Sequence, residues 1–282
     1  MKIIFNSNSY QLNPVPFNDI RDNMECLRPF ELNKLFPFQI LLSKTPTKFK
    51  VEIVNCSGVV KDITVMLQEA GLKLINPGVN KLSLVFPAKF ILNLGLVPDT
   101  YKLIIDLGSE VFTSASFRLQ ESIPELYAKL TWGNNTSGDS IAINGGIISF
   151  ADDFEYFMYI DLAVTNTETQ LTEEVNNRDG VQFPTKMVSE LTYNTTDFTA
   201  DPALVDCLRL VNMCDDITLE NNKAIYIIQD ILFTPKWRTA GSLIADVSCE
   251  FSLGNFIKRI GFDYTKQYKG DFNNDFNNDF KK

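Results

Sequence analysis

Short apolar runs of four to ten residues, cut apart by turn-forming residues, recur through the first 120 positions of this chain. They are Phe36–Leu42, Phe49–Val54, Asp62–Leu67, Leu72–Ile75, Lys81–Phe86, Phe90–Leu94, Tyr101–Leu107 and Glu110–Leu119. Asn76-Pro77-Gly78, Pro98-Asp99 and Leu107-Gly108 punctuate them as turns. Runs of this length at roughly ten-residue spacing, with no amphipathic helix between them, predict strands stacked into a sandwich. In Tyr101–Asp106 and Val111–Phe117 apolar and polar residues alternate, so one face of each strand is expected to be wet. The 22 phenylalanines suit sheets with aromatic inner faces.

Ser122-Ile123-Pro124 reads as a boundary. Beyond it Leu126–Trp132 and Ala142–Phe150 flank a polar loop, Gly133–Asp139, and Phe154–Thr165 is a strongly aromatic strand. Asn166–Asn177 is polar and acidic and reads as a surface excursion, and Val181–Tyr193 leads from it into a helix-and-strands unit. Asp201-Pro202 then starts a helix, with a side-chain acceptor at the cap and a residue lacking an amide hydrogen just after it. Ala203, Leu204, Cys207, Leu208, Val211 and Cys214 form one apolar stripe at three- and four-residue spacing, which predicts a helix over 202–214. Ala224–Phe233 and Ser242–Phe251 are strands joined by a loop longer than a tight hairpin turn.

The expected fold is therefore mainly β: two β-sandwich-like domains, the second with one short amphipathic helix packed on antiparallel strands. The divisions are an extended, Asn- and Pro-rich amino-terminal arm or lone edge strand over 1–35, a sandwich over 36–120, a β-rich domain over 121–265, and a low-complexity tail over 266–282. In that tail Asp-Phe-Asn-Asn repeats with period four, a pattern that rarely packs. The net charge of −9 disfavours phosphate neutralisation, so no direct nucleic-acid partner is expected. No run approaches the roughly 18 apolar residues of a membrane-spanning helix, and the first residues do not read as a signal peptide.

The absence of histidine removes histidine-dependent triads and the usual catalytic zinc sites. No phosphate-cradling glycine motif is present, and neither a cofactor nor enzymatic activity is expected. Asp152, Asp153, Glu155 and the Asp215-Asp216 pair are the acids available for glycosidase-type catalysis, but in so acidic a chain they read as solvated turn residues. Asp271-x-Asn273-x-Asp275 copies the opening of a calcium loop, which then fails at Phe276 and Lys282, where glycine and a bidentate glutamate are needed. Cys26, Cys56, Cys207, Cys214 and Cys249 are odd in number and lack paired spacing, so they read as small buried hydrophobes of a reducing compartment. Phe272, Phe276 and Phe280 are candidate partner-docking anchors, against the plainer reading of a solubilising end. Trp237 is either a further docking anchor or a cap on the sandwich core.

Phe36-Pro37-Phe38-Gln39-Ile40, Arg178-Asp179-Gly180 with Phe183-Pro184, Leu208-Arg209-Leu210 before Cys214-Asp215, Phe233-Thr234-Pro235-Lys236-Trp237 and the terminal repeat together carry a likeness. The chain resembles virion-associated structural proteins of tailed phages and prophages of Bacteroidetes-type bacteria. The resemblance implies a β-rich building block of the tail, baseplate or connector, made in the bacterial cytoplasm and residing in the virion. Its implied partners are further copies of itself in a ring and other virion proteins, with no membrane. The alternative is a sandwich module that binds a host-surface glycan, served by aromatics such as Trp132 and Trp237 and by the Asn-rich loop Gly133–Asp139.

Overall fold

The computed structural model describes residues 2–6, 28–42, 45–78, 81–87, 93–108, 111–114, 116–134, 140–143, 146–150, 154–178, 181–221, 224–239 and 244–260. The fold is mainly β. Its first half holds β1 (Lys2–Asn6), β2 (Arg28–Glu31), β3 (Phe38–Leu42), β4 (Lys50–Asn55), β5 (Val60–Asp62), α1 (Thr64–Glu69), β6 (Lys73–Gly78), β7 (Lys81–Phe86), β8 (Asp99–Asp106), β9 (Val111–Thr113) and β10 (Phe117–Gln120). One sheet runs β1-β3-β7-β6, and a second runs β2-β10-β8-β4-β5 with β9 on β8. Phe38, Ile40, Leu84 and Phe86 of the first share a hydrophobic cluster with Val51, Ile53, Leu103, Ile105, Phe117 and Leu119 of the second. In β8 the alternation works as expected: Tyr101, Leu103 and Ile105 are buried and their neighbours are not.

Three local expectations give way to better-satisfied alternatives. The strand expected over Asp62–Leu67 is only β5 followed by α1. Asp62 Oδ1 accepts from the Thr64 amide at 2.9 Å and from its hydroxyl at 2.6 Å, which turns the chain. Ile63, Leu67 and Ala70 then bury one helical face. The single strand expected over Glu110–Leu119 is split, because Ser114 pairs with Leu103 through both its own amide and its hydroxyl (2.8 and 2.9 Å). The described parts of the expected amino-terminal arm are paired: β1 lies antiparallel to β3, and β2 lies parallel to β10. Phe30 and Leu35 there are fully buried, because Pro29-Phe30 and Leu35-Phe36 supply an apolar group that the surrounding Asn and Pro residues mask in composition.

The second half holds β11 (Tyr127–Gly133), β12 (Ser140–Ile143), β13 (Gly146–Ser149), β14 (Tyr156–Asp161), β15 (Val164–Arg178), β16 (Val181–Thr195), β17 (Phe198–Ala200), α2 (Pro202–Val211), β18 (Asp216–Asn221), β19 (Ala224–Ile228), β20 (Asp230–Trp237) and β21 (Ala245–Ile260). Sheets run β14-β11-β18-β19 and β15-β16-β21-β17, with β20 also on β21 and β12–β13 forming a hairpin. Leu130, Trp132, Tyr156, Met158 and Leu219 of the first sheet share a cluster with Phe198, Val247, Cys249 and Phe251 of the second. Helix α2 adds Leu204, Cys207, Leu208 and Val211 to that core. Asp201 caps it as expected, its Oδ1 accepting from the Leu204 amide at 2.8 Å. The helix stops at Val211 rather than 214, because Met213 and Cys214 close a tighter turn onto Leu210 and Val211. The polar stretch Asn166–Asn177, expected to be a surface excursion, is strand throughout and belongs to β15.

The chain divides into two compact units, residues 1–166 with 193–253, and residues 167–192 with 254–282. The first unit holds both hydrophobic clusters, and each draws on both halves of the chain: Val85 joins the cluster of the second half, and Phe157 and Tyr159 join that of the first. Gln39 links them. It is fully buried on β3, its Nε2 donating to the Ser149 carbonyl of β13 while its Oε1 accepts from the Ser149 amide at 3.1 Å. A side-chain amide in this way reproduces a strand's donor–acceptor pair for buried backbone. The described residues of the second unit are strand residues 167–178, 181–192 and 254–260, where Leu171 and Val175 are exposed.

Candidate functional site

The expected site residues fall in different places. Phe272, Phe276 and Phe280 lie outside the described residues, as do Asp152, Asp153, the calcium-like Asp271-x-Asn273-x-Asp275 and Cys26. Trp237 ends β20 with 42% of its surface exposed, past Ile231 and Phe233 on the same strand face. Trp132, named for glycan contact, is fully buried and stacks on Tyr156 at 5.5 Å, so it has no face to offer a ligand. Glu155 and Asp215 are exposed, and among the described residues no group of three or more metal-type ligands is gathered. Cys207, Cys214 and Cys249 are buried, and burial pushes each thiol up to about 12. Cys56 differs from the expectation: it is exposed, its thiol donating to Asp99 Oδ1 at 3.2 Å. No described helix is long and apolar enough to cross a membrane.

Strand pairing builds a site that the sequence analysis does not name. On β11, Ala128, Leu130 and Trp132 point into the core, so Tyr127, Lys129 and Thr131 face the other way. Antiparallel register sets Lys129 opposite Tyr159 of β14 and opposite Glu220 of β18. Glu31 at the end of β2, Lys34 just after it, and the linker Ile123-Pro124-Glu125 complete the walls of a groove of about 560 Å³. Tyr159 donates its hydroxyl to Glu31 Oε1 at 3.2 Å, and Glu31 Oε2 pairs with Lys34 at 2.8 Å. Lys129 Nζ sits 5.3 Å from the centre of the Phe157 ring. Burial raises the Tyr159 phenol, and the neighbouring Glu31 and Glu220 carboxylates raise it further. Burial also raises Tyr127, helped by Asp161 and opposed by Arg118 and Arg28. The groove is thus polar, with fixed donors and acceptors whose charges largely answer one another.

Beside it, on the edge of the same sheet, β19 reads Ala-Ile-Tyr-Ile-Ile. Ile228 is buried and Tyr226 packs on Tyr193 and Phe251 at 5.7 and 5.5 Å, while Ile225 and Ile227 stand 69% and 74% exposed on the opposite face. Among the described residues β19 pairs only with β18. It carries no charge and no proline, the usual devices that keep an edge from pairing with another chain. Other edges have them: Pro29 in β2, Lys61 and Asp62 in β5, Pro235 and Lys236 in β20. The sequence signal for this surface is the uninterrupted apolar run of β19, which reads as a two-sided buried strand until its cover is sought.

No protein family, no curated protein and no solved structure matches the chain.

Proposed function

We propose that this chain is a structural building block that assembles through protein–protein contacts with further copies of itself. In the setting implied by its resemblance, it is a component of the tail, baseplate or connector of a phage particle, in contact with other virion proteins. The observation that carries the proposal is the bare edge strand β19, with Ile225 and Ile227 exposed on a strand free of charge and proline. An antiparallel edge can pair with the same edge of a second copy, which gives a self-complementary contact with two-fold symmetry. The tail anchors Phe272, Phe276 and Phe280, with Trp237, are proposed as contacts to neighbouring virion proteins.

Two measurements test this reading. Sedimentation of the purified chain should show a concentration-dependent oligomer that Ile225→Lys with Ile227→Lys converts to monomer. Mass spectrometry of density-purified particles, scaled to the major capsid protein, should find the chain at a fixed small copy number, and deleting residues 270–282 should lower it without changing the melting temperature. A chain that stays monomeric at all concentrations and is absent from particles overturns the proposal.

A further inference from the structure

We infer that the groove formed by Tyr127, Lys129, Tyr159, Glu31, Lys34 and Glu220 binds a neutral oligosaccharide. The inference is independent of assembly through β19, because it rests on different side chains and a different readout. Its volume of about 560 Å³ lies within the range of pockets that hold small ligands, roughly 300–1,000 Å³. The lining decides what can enter. Three carboxylates, Glu31, Glu125 and Glu220, against two ammonium groups, Lys34 and Lys129, leave no positive surplus for a phosphate or sulfate. A cationic ligand would meet Lys34 and Lys129, both held in place, the first by Glu31 and the second over the Phe157 ring. An apolar ligand would strip water from charged groups and replace none of their hydrogen bonds.

A neutral sugar can use every part of this wall. Its hydroxyls donate to Glu31 and Glu220 and accept from Lys34 and Lys129, and its C–H face can lie on the half-buried Tyr127 ring. The polar groups are already oriented. The Tyr159 hydroxyl and Lys34 fix the two oxygens of Glu31, and Lys129 is held between Glu220 and Tyr159 by strand register. Little ordering is then left to oppose binding.

The test uses the full chain on an array of neutral oligosaccharides: gluco-, manno-, galacto- and xylo-configured chains of two to six sugars, with sulfated glycans and a lysine-rich peptide as competing probes. At least one neutral series should bind with a millimolar or tighter constant. Tyr127→Ala should weaken it at least tenfold, and Glu220→Gln, an exposed and nearly isosteric change, several-fold without altering the melting temperature. Trp237→Ala, on the other sheet, should leave it unchanged. The inference is overturned if no neutral series binds at millimolar concentration, or if binding survives both groove variants. Retention of only the sulfated glycans or only the peptide in the groove overturns it equally.

Discussion

Strands β14 and β19 close the two sides of one four-stranded sheet, and both carry apolar side chains on both faces. β14 is covered twice. Tyr156, Met158 and Ile160 join one hydrophobic cluster, while Phe157 and Tyr159 on the opposite face join the other. The cover on that second face is Phe30 of β2, whose ring lies 6.3 Å from Phe157 and 6.4 Å from Tyr159, with Phe36 and Phe117 behind it at 5.2 and 6.0 Å. Among the described residues β19 has cover on one face only, and Ile225 and Ile227 stand exposed on the other. Equal hydrophobicity therefore led to two outcomes, set by whether a distant part of the chain arrives to pack there. Where none arrives, burial can still come from a second molecule.

Removing the cover should have the largest effect. Phe30→Ala deletes a fully buried ring in contact with four other aromatics and should cost about 3–5 kcal/mol, read as a lower denaturant midpoint at unchanged slope. A loss below about 1 kcal/mol would mean that β14 does not depend on β2, and the contrast between the two edges would fail. The bare edge should behave in the opposite way. Ile225→Lys with Ile227→Lys should change the monomer's stability by no more than about 1 kcal/mol, since both side chains are mostly exposed. The same pair should weaken self-association at least tenfold, about 1.4 kcal/mol, by sedimentation. An unchanged association constant would place the assembly contact elsewhere.

A subtler test lies at the rim of the covered edge. Tyr159→Phe removes the hydrogen bond to Glu31 while keeping the ring, and should cost about 1 kcal/mol near neutral pH. Burial and the two carboxylates raise the folded phenol's pKa, so the stability it contributes is complete below the unfolded value of about 10. That contribution is lost as pH rises above it toward the folded value, because the unfolded chain releases its proton first. The variant should therefore lose stability less steeply than the wild type above about pH 10. Equal slopes would show that Tyr159 is solvated and that its face of β14 is open.

Much of this architecture was readable locally. The cap at Asp201, the stripe Leu204, Cys207, Leu208 and Val211, and the wet and dry faces of β8 each follow from residues a few positions apart. β15 was legible in principle, since Thr165, Thr167 and Thr169 place β-branched side chains at period two, but its acids and asparagines make it read as a loop. Ile63, Leu67 and Ala70 likewise hold a helical spacing that their β-like setting hides. The groove could not be read this way. Glu31 and Tyr159 lie 128 residues apart, and Lys129 meets Glu220 only once two strand registers are fixed. A parallel pair such as β2 on β10 leaves no local signature, so the cover that separates β14 from β19 was invisible for the same reason.

The smallest predicted effect concerns the inner face of β14. Tyr156 is fully buried, its ring stacked on Trp132, and its hydroxyl has no hydrogen-bond partner among the described residues. Burial drives that phenol's pKa well up, so it is neutral across ordinary pH. A buried hydroxyl without a partner carries the loss of its water hydrogen bonds with nothing to offset it. Tyr156→Phe removes that group and keeps every ring contact, so it should leave stability unchanged or raise it by up to about 1 kcal/mol. Tyr159→Phe, three residues along the strand on the other face, should lower it. Opposite signs for the same chemical change on one strand would show that the two faces differ in polar satisfaction as well as in cover. A clear loss from Tyr156→Phe would instead mean that its hydroxyl is bonded, with the Gln39 amide, which lies near enough to oppose the pKa rise, as the first partner to examine.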